Sequence, residues 1–172
     1  MKDKWVVFDL IGVLAEPSWR ELVAAPDLER WSAFKLGKDS EDKFWEREVA
    51  ELYRAMLRFR FDRLQLVDDL RERGYKICVA TNFSKDWFDT LLAQLDNKNL
   101  FADRVLSAEI GVAKPEQGFW KELLLRVPAG SVFVDDKKEN CDAAADAGFR
   151  SVWAYPGAPV REQIDLLLKE SN

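Results

Sequence analysis

The chain has 172 residues, 48% of them hydrophobic, a length that buries one sizeable core with room for a small appended module. Its 26 Lys and Arg are scattered among 31 Asp and Glu for a formal charge of -5, which argues against an extended nucleic-acid-binding surface and leaves room only for a local basic pocket. Histidine is absent. That removes His-based triads, His-ligated zinc and His general acid/base catalysis, so carboxylates, Lys, Ser/Thr and two cysteines must carry any chemistry.

The N-terminal M-K-D-K-W lacks a long apolar segment and nothing downstream approaches a membrane span, so a soluble, cytoplasmic protein without a membrane partner is expected. Trp5–Leu14, W-V-V-F-D-L-I-G-V-L, is an apolar run without alternation, which reads as a strand buried on both faces in the centre of a parallel sheet. The strand stops on one carboxylate, Asp9. In open α/β sheets ligands gather at the carboxyl ends of strands, so Asp9 is a candidate site acid; taken alone, a turn or helix-capping role is the commoner one.

From Pro17 to about Gly74 the sequence is charged and helically spaced. Pro17 and Ser18 can open a helix through Trp19, Leu22 and Val23; Pro26 and Asp27 stop it and start another through Leu28, Trp31 and Phe34. Gly37 ends the second, and Asp39 or Ser40 can cap a third holding Phe44, Trp45, Val49, Leu52, Tyr53 and Met56. A helix over Leu64–Arg73 closes at Gly74. The run R-F-R-F-D-R over 58–63 alternates and suits a strand or a distorted helix equally. Trp19, Trp31, Phe34, Phe44 and Trp45 could form a sugar-binding platform, but at helical spacing they more often form the core of a small bundle. Arg20, Arg30 and Lys38 could face an anionic substrate or simply be solvated.

Beyond Tyr75 strands and helices alternate. Strands are expected at Lys76–Ala80, Arg104–Ser107, Ser131–Val134 and Ser151–Tyr155, and helices at Trp87–Leu95, Glu116–Leu125, Asn140–Ala147 and Val160–Lys169. This favours a parallel sheet with right-handed crossovers. Cys78 and Cys141 belong to no C-x-x-C pair and are expected to be reduced core thiols.

If the strands are parallel, Asp9, Thr81, Asp135, Asp136 and the loop residue Lys114 can converge on one edge of the sheet. Each has a bland reading: a strand-end hydroxyl for Thr81, a helix cap for Asp135-Asp136, a solvated loop charge for Lys114. Together they supply what phosphoryl transfer through a carboxylate requires: a nucleophilic acid, a hydroxyl and an ammonium for phosphate oxygens, and further acids for Mg2+.

Four stretches in this order, V-V-F-D-L-I-G-V-L, I-C-V-A-T-N, V-A-K-P-E and V-F-V-D-D-K-K-E-N, resemble the motifs of the haloacid dehalogenase-like hydrolase superfamily. The insert segment F-K-L-G-K-D-S-E-D-K-F-W is similar to one in the helical caps of glucose-phosphate phosphatase-like and epoxide hydrolase N-domain-like members. The resemblance implies an α/β fold with a Rossmann-like parallel sheet, helices on both faces and a small α-helical cap inserted after the first strand. The hydrolase core would comprise 1–14 and 75–172, and the cap with its return helix 15–74. It further implies Asp9 as nucleophile, Mg2+ held by Asp9, the backbone carbonyl of Ile11 and Asp136 with help from Asp135, and a phosphoryl group held by Thr81, the Asn82 backbone and Lys114. The expected function is a magnesium-dependent phosphatase of a small phosphorylated metabolite such as a sugar phosphate, working as a monomer or homodimer.

One position departs from the pattern. Most phosphatases of this superfamily carry a second Asp two residues after the nucleophile, as the proton donor to the leaving oxygen; here it is Ile11. General acid/base assistance is commonly worth ~10²–10⁴-fold, so slow hydrolysis or a preference for a low-pKa leaving group is expected. A catalytically idle phosphate- or metal-binding regulatory domain is the alternative. A 2-haloacid dehalogenase fits less well, because Asp135-Asp136 is retained.

Overall fold

The structure is a computed structural model and describes residues 4–18, 28–97 and 99–170. The first apolar run makes strand β1 (Trp5–Phe8), and β2 (Ala15–Glu16) follows a tight turn. Helices α1 (Leu28–Lys35), α2 (Glu41–Phe44) and α3 (Arg47–Met56) precede β3 (Arg58–Phe59) and α4 (Phe61–Glu72). The remainder runs β4 (Lys76–Thr81), α5 (Lys85–Ala93), β5 (Asp103–Leu106), α6 (Ser107–Ile110), α7 (Gln117–Leu124), β6 (Val132–Asp135), α8 (Lys138–Asp146), β7 (Arg150–Trp153) and α9 (Val160–Lys169).

Strands β5-β4-β1-β6-β7 form, in that order, one parallel sheet, and the continuous apolar runs are explained by cover on both faces. Val6 and Phe8 point with Ile77, Val79, Val132 and Val134 into a core closed by α4, α5 and α9. Val7, Cys78, Ala80 and Phe133 point the other way, onto Phe119, Trp120 and Leu123 of α7 and Ala144 of α8. This is the expected Rossmann-like α/β architecture. From β1 the chain winds to β4 and β5 on one side and then to β6 and β7 on the other, so its direction switches between β1 and β6. Open α/β sheets bind ligands in the crevice at such a switch point. The register of Phe8 with Val79 and Val134 sets Asp9 beside Ala80 and Asp135 at that crevice.

The insert differs from expectation in two places. The spacing from Phe44 to Met56 predicts one helix, but the chain is extended at Trp45 (φ -131°, ψ 152°) and Glu46 (φ -61°, ψ 143°), dividing it into α2 and α3. In an unbroken helix adjacent side chains diverge by about 100°; the break lets the Phe44 and Trp45 rings stack at 5.2 Å and both be buried. The 58–63 run is strand and then helix: β3 pairs antiparallel with β2, and α4 begins at Phe61. The expected helix over Trp19, Leu22 and Val23 lies outside the described residues, as does Arg20.

The insert's aromatic residues build a core rather than an open platform. Trp31, Phe34, Phe44, Trp45 and Tyr53 lie around Trp87 of α5 with ring centroids 4.6 to 6.4 Å away. Aromatic pairs in this range contribute ~0.5–1.5 kcal/mol each beyond area burial. Trp87 also donates its indole N–H to Glu41, which pairs with Arg54, so the cluster's polar edge is satisfied. These contacts fasten α1, α2 and α3 to the sheet's own helix α5. Among the described residues no helix is long and apolar enough to cross a membrane.

Candidate active site

Beyond β1 the backbone stays paired for one more residue, Asp9 N–H donating to the Val134 carbonyl at 2.8 Å. It then folds back. The Leu10 carbonyl accepts from the N–H groups of both Leu14 and Ala15 at 2.8 Å, closing a compact turn that carries Ile11 and Gly12 to the end of the sheet. Gly12 has φ +90°, and a Cβ there would lie 2.5 Å from Asp136 Oδ2. Both the left-handed backbone and the close carboxylate require glycine.

Lys114 stands in the loop between α6 and α7, and its ammonium is buried among three acceptors. Nζ donates to Asp9 Oδ1 at 2.9 Å, to Asp135 Oδ2 at 2.6 Å and to the Ala80 carbonyl at 2.7 Å. Burial draws the ammonium pKa down, but attraction to Asp135 and Asp9 outweighs it and holds the pKa above the usual Lys range. Three donors, each used, fix this side chain in one place.

Asp135 is fully buried, and burial pushes its carboxyl pKa up. Its contacts are nevertheless those of an ionised carboxylate: besides Lys114, it accepts from the Lys137 N–H at 2.9 Å and from Asn140 Nδ2 at 2.9 and 3.0 Å. Asp136, next to it, is different. Its Oδ1 is buried without a hydrogen-bond partner, and its pKa is pushed up to about 6 by burial and by repulsion from Asp9 and Asp135, against the pull of Lys137 and Lys114. Ligand oxygens of Asp9, Asp135 and Asp136 all lie within 4.8 Å of one another. Three carboxylates facing one buried ammonium leave an excess of negative charge, and an orphaned carboxylate oxygen in that setting fits a hard divalent cation.

These groups open onto a pocket of about 200 Å³ lined by Asp9, Ile11, Thr81, Lys114 and Asp136, with Trp31 and Phe83 among its apolar walls. Thr81 ends β4 and Asn82 follows it, so the structure brings every predicted site residue to one edge of the sheet. Two roles were not foreseen from the sequence. The Asn82 side chain clamps the Lys114 backbone from both directions, Nδ2 to the Lys114 carbonyl and the Lys114 N–H to Oδ1, each at 2.8 Å. Asn140, in the first turn of α8, orients Asp135. The one sequence signal that could have found the second is an Asn five residues beyond a strand-end acid, on the helix that follows. Cys78 and Cys141 are free and buried, and burial pushes both thiols up, Cys141 to about 12, so neither is a thiolate nucleophile.

The fold and this site define a Rossmann-like α/β protein with a cluster of carboxylates around one ammonium at the carboxyl edge of its sheet. The family model of the haloacid dehalogenase-like hydrolases matches residues 19–148, and the chain belongs to that family. It is 27% identical over 169 residues to the sesquiterpene phosphatase astK of Aspergillus oryzae, covering 84% of this chain and 86% of that protein. It is also 33% identical over 104 residues to the drimenol cyclase drtB of Aspergillus calidoustus, a match to 59% of this chain and 20% of that longer protein. Among solved structures, a predicted haloacid dehalogenase-like hydrolase of Porphyromonas gingivalis superposes with TM-score 0.77 at 19% identity, covering 98% of this chain and 99% of the other. A haloacid dehalogenase family enzyme of Bacteroides thetaiotaomicron, solved with magnesium and inorganic phosphate, does so with TM-score 0.71 at 18% identity, covering 91% and 96%.

Proposed function

We propose that this hydrolase is a magnesium-dependent phosphatase that transfers the phosphoryl group of a small organic phosphate to Asp9 and then to water. The observation that carries the reading is the Lys114 ammonium shared between Asp9 and Asp135, beside the orphaned carboxylate of Asp136 in a pocket lined by Thr81. With Asp9 Oδ1 bound to Lys114, the other carboxylate oxygen is the attacking atom. The bond from phosphorus to the leaving oxygen breaks as the Asp9–phosphorus bond forms, and water then releases inorganic phosphate.

Thr81 and the Asn82 backbone would donate to the phosphoryl oxygens, and the Lys114 ammonium beside Asp9 would offset their charge. Asp9, Asp136 and the Ile11 carbonyl would hold Mg2+, with Asp135 assisting through water because its own oxygens are already engaged. When bound, the metal offsets charge on the equatorial oxygens. Residues 15–74 act as the cap and return helix that select the organic portion. Trp31, Phe83 and Ile11 present apolar surface to the pocket, and the relative in Aspergillus oryzae is named for sesquiterpenes, so an apolar alcohol portion is favoured over a sugar.

The test is phosphate release from p-nitrophenyl phosphate and from a panel of sugar and prenyl monophosphates and farnesyl diphosphate, with magnesium and with EDTA. Wild type is expected to release phosphate only with magnesium, and Asp9→Asn to fall to background. Equal background rates for both proteins across the panel overturn the reading; chloride release from 2-haloacids without metal would replace it with dehalogenation.

A further inference from the structure

Ile11 stands two residues after Asp9, where the resemblance implies a proton donor to the leaving oxygen, and it is an apolar lining residue of the pocket. Among the described pocket residues the other titratable groups are Asp9, Lys114, Asp136 and Lys137. Asp9 and Lys114 are bound to each other, and Asp136 sits behind Gly12 with the metal-fitting cluster. Among the described lining residues no carboxylic acid is left over for the leaving group. The chemistry that tolerates this is one whose leaving oxygen is stable without a proton.

Lys137 is the second observation. It is exposed at the pocket, its charge is felt by Asp136, and its ammonium has no hydrogen bond or ion pair among the described residues. Lys114 is held against Asp9, where the transferred phosphoryl group would sit, so among the described lining residues Lys137 is the one further cation, free to meet a second phosphate.

Resting on the phosphatase reading, we infer that the substrate is an organic diphosphate whose terminal phosphoryl group is removed, with Lys137 binding the phosphate that is retained. Asp9 attacks the terminal phosphorus, the bond from that phosphorus to the bridging oxygen breaks, and the electron pair stays on the bridging oxygen of the departing organic monophosphate. That oxygen belongs to a group with a second pKa of about 6, whereas the oxygen of an alcohol leaving group resembles that of water, with a pKa of about 15.7. Water then attacks the aspartyl-phosphate, giving inorganic phosphate and restoring the Asp9 carboxylate. The missing acid therefore penalises monoesters far more than anhydrides in the first step, while the second step is common to both.

The experiment compares farnesyl diphosphate with farnesyl monophosphate, with magnesium, following products by phosphorus NMR. The expected result is kcat/KM at least about tenfold higher on the diphosphate, a part of the ~10²–10⁴-fold that a general acid supplies, with farnesyl monophosphate and inorganic phosphate as first products. Lys137→Met is expected to lower the ratio of the two kcat/KM values by about tenfold, and Lys137→Arg to restore most of it. Equal kcat/KM on the two substrates, release of pyrophosphate, or an unchanged ratio in Lys137→Met overturns the inference. Turnover of monophosphates without turnover of the diphosphate overturns it while leaving the phosphatase reading intact; turnover of neither overturns both.

Discussion

Replacing Lys114 by Met removes one positive charge from the centre of the protein and keeps most of the apolar stem. Two carboxylates then face each other without it, since Lys114 bridges Asp9 at 2.9 Å and Asp135 at 2.6 Å. At an effective dielectric of ~20, each contact near 3 Å carries roughly 6 kcal/mol of Coulomb energy before desolvation is subtracted. Breaking a buried pair on one side costs about 3–5 kcal/mol in practice, because the remaining charge stays buried. The expected loss is in that range, about 6–20 °C in Tm for a chain of this size. Urea unfolding followed by Trp fluorescence at pH 7.5 in EDTA measures it. Adding Asp135→Asn removes the repulsion, so the double variant should be more stable than the sum of the single losses by at least about 1 kcal/mol. A Lys114→Met loss under about 1 kcal/mol, or additivity within about 0.5 kcal/mol, would refute the claim that this ammonium holds the carboxylates together.

Ile11→Asp should raise phosphate release from substrates with poor leaving groups more than from p-nitrophenyl phosphate, by up to the ~10²-fold lower bound of general-acid assistance; no differential gain would mean that local geometry limits the rate. Gly12→Ala should cost about 2 kcal/mol from the strained backbone alone and weaken magnesium binding measured by calorimetry, since the new Cβ meets Asp136 Oδ2 at 2.5 Å. Asp136 has a folded pKa of about 6 against an ordinary 3.8, so its ionisation opposes folding. Metal-free protein should lose stability from this group as pH rises between about 4 and 6, by well under the ~3 kcal/mol of the full shift because Asp136 is partly solvated, a loss absent in Asp136→Asn and reversed by magnesium in urea titrations.

Much of the fold was legible because a parallel sheet buried on both faces writes continuous apolar runs, and Trp5–Phe8, Lys76–Thr81 and Val132–Asp135 are such runs. The helix Val160–Lys169 was legible to the residue, since one apolar face packs on the sheet. The break at Trp45 was not, because periodicity records which residues are buried and not the rotation that buries two neighbouring rings together. Ser107–Ile110 was likewise missed: the four-residue helix α6 is too short to show a period.

By itself the sequence determined where the strands end and which polar groups stand there: Asp9, Thr81 and Asp135-Asp136, each closing an apolar run. Only the tertiary structure decided what those groups do to one another. The switch in winding between β1 and β6 sets Asp9 against Asp135, and the Asn82 clamp delivers Lys114 between them from a loop 105 residues beyond Asp9. Local patterning places a charge at a strand end, but its protonation and its partners depend on distance and burial, and those exist only once the sheet has assembled.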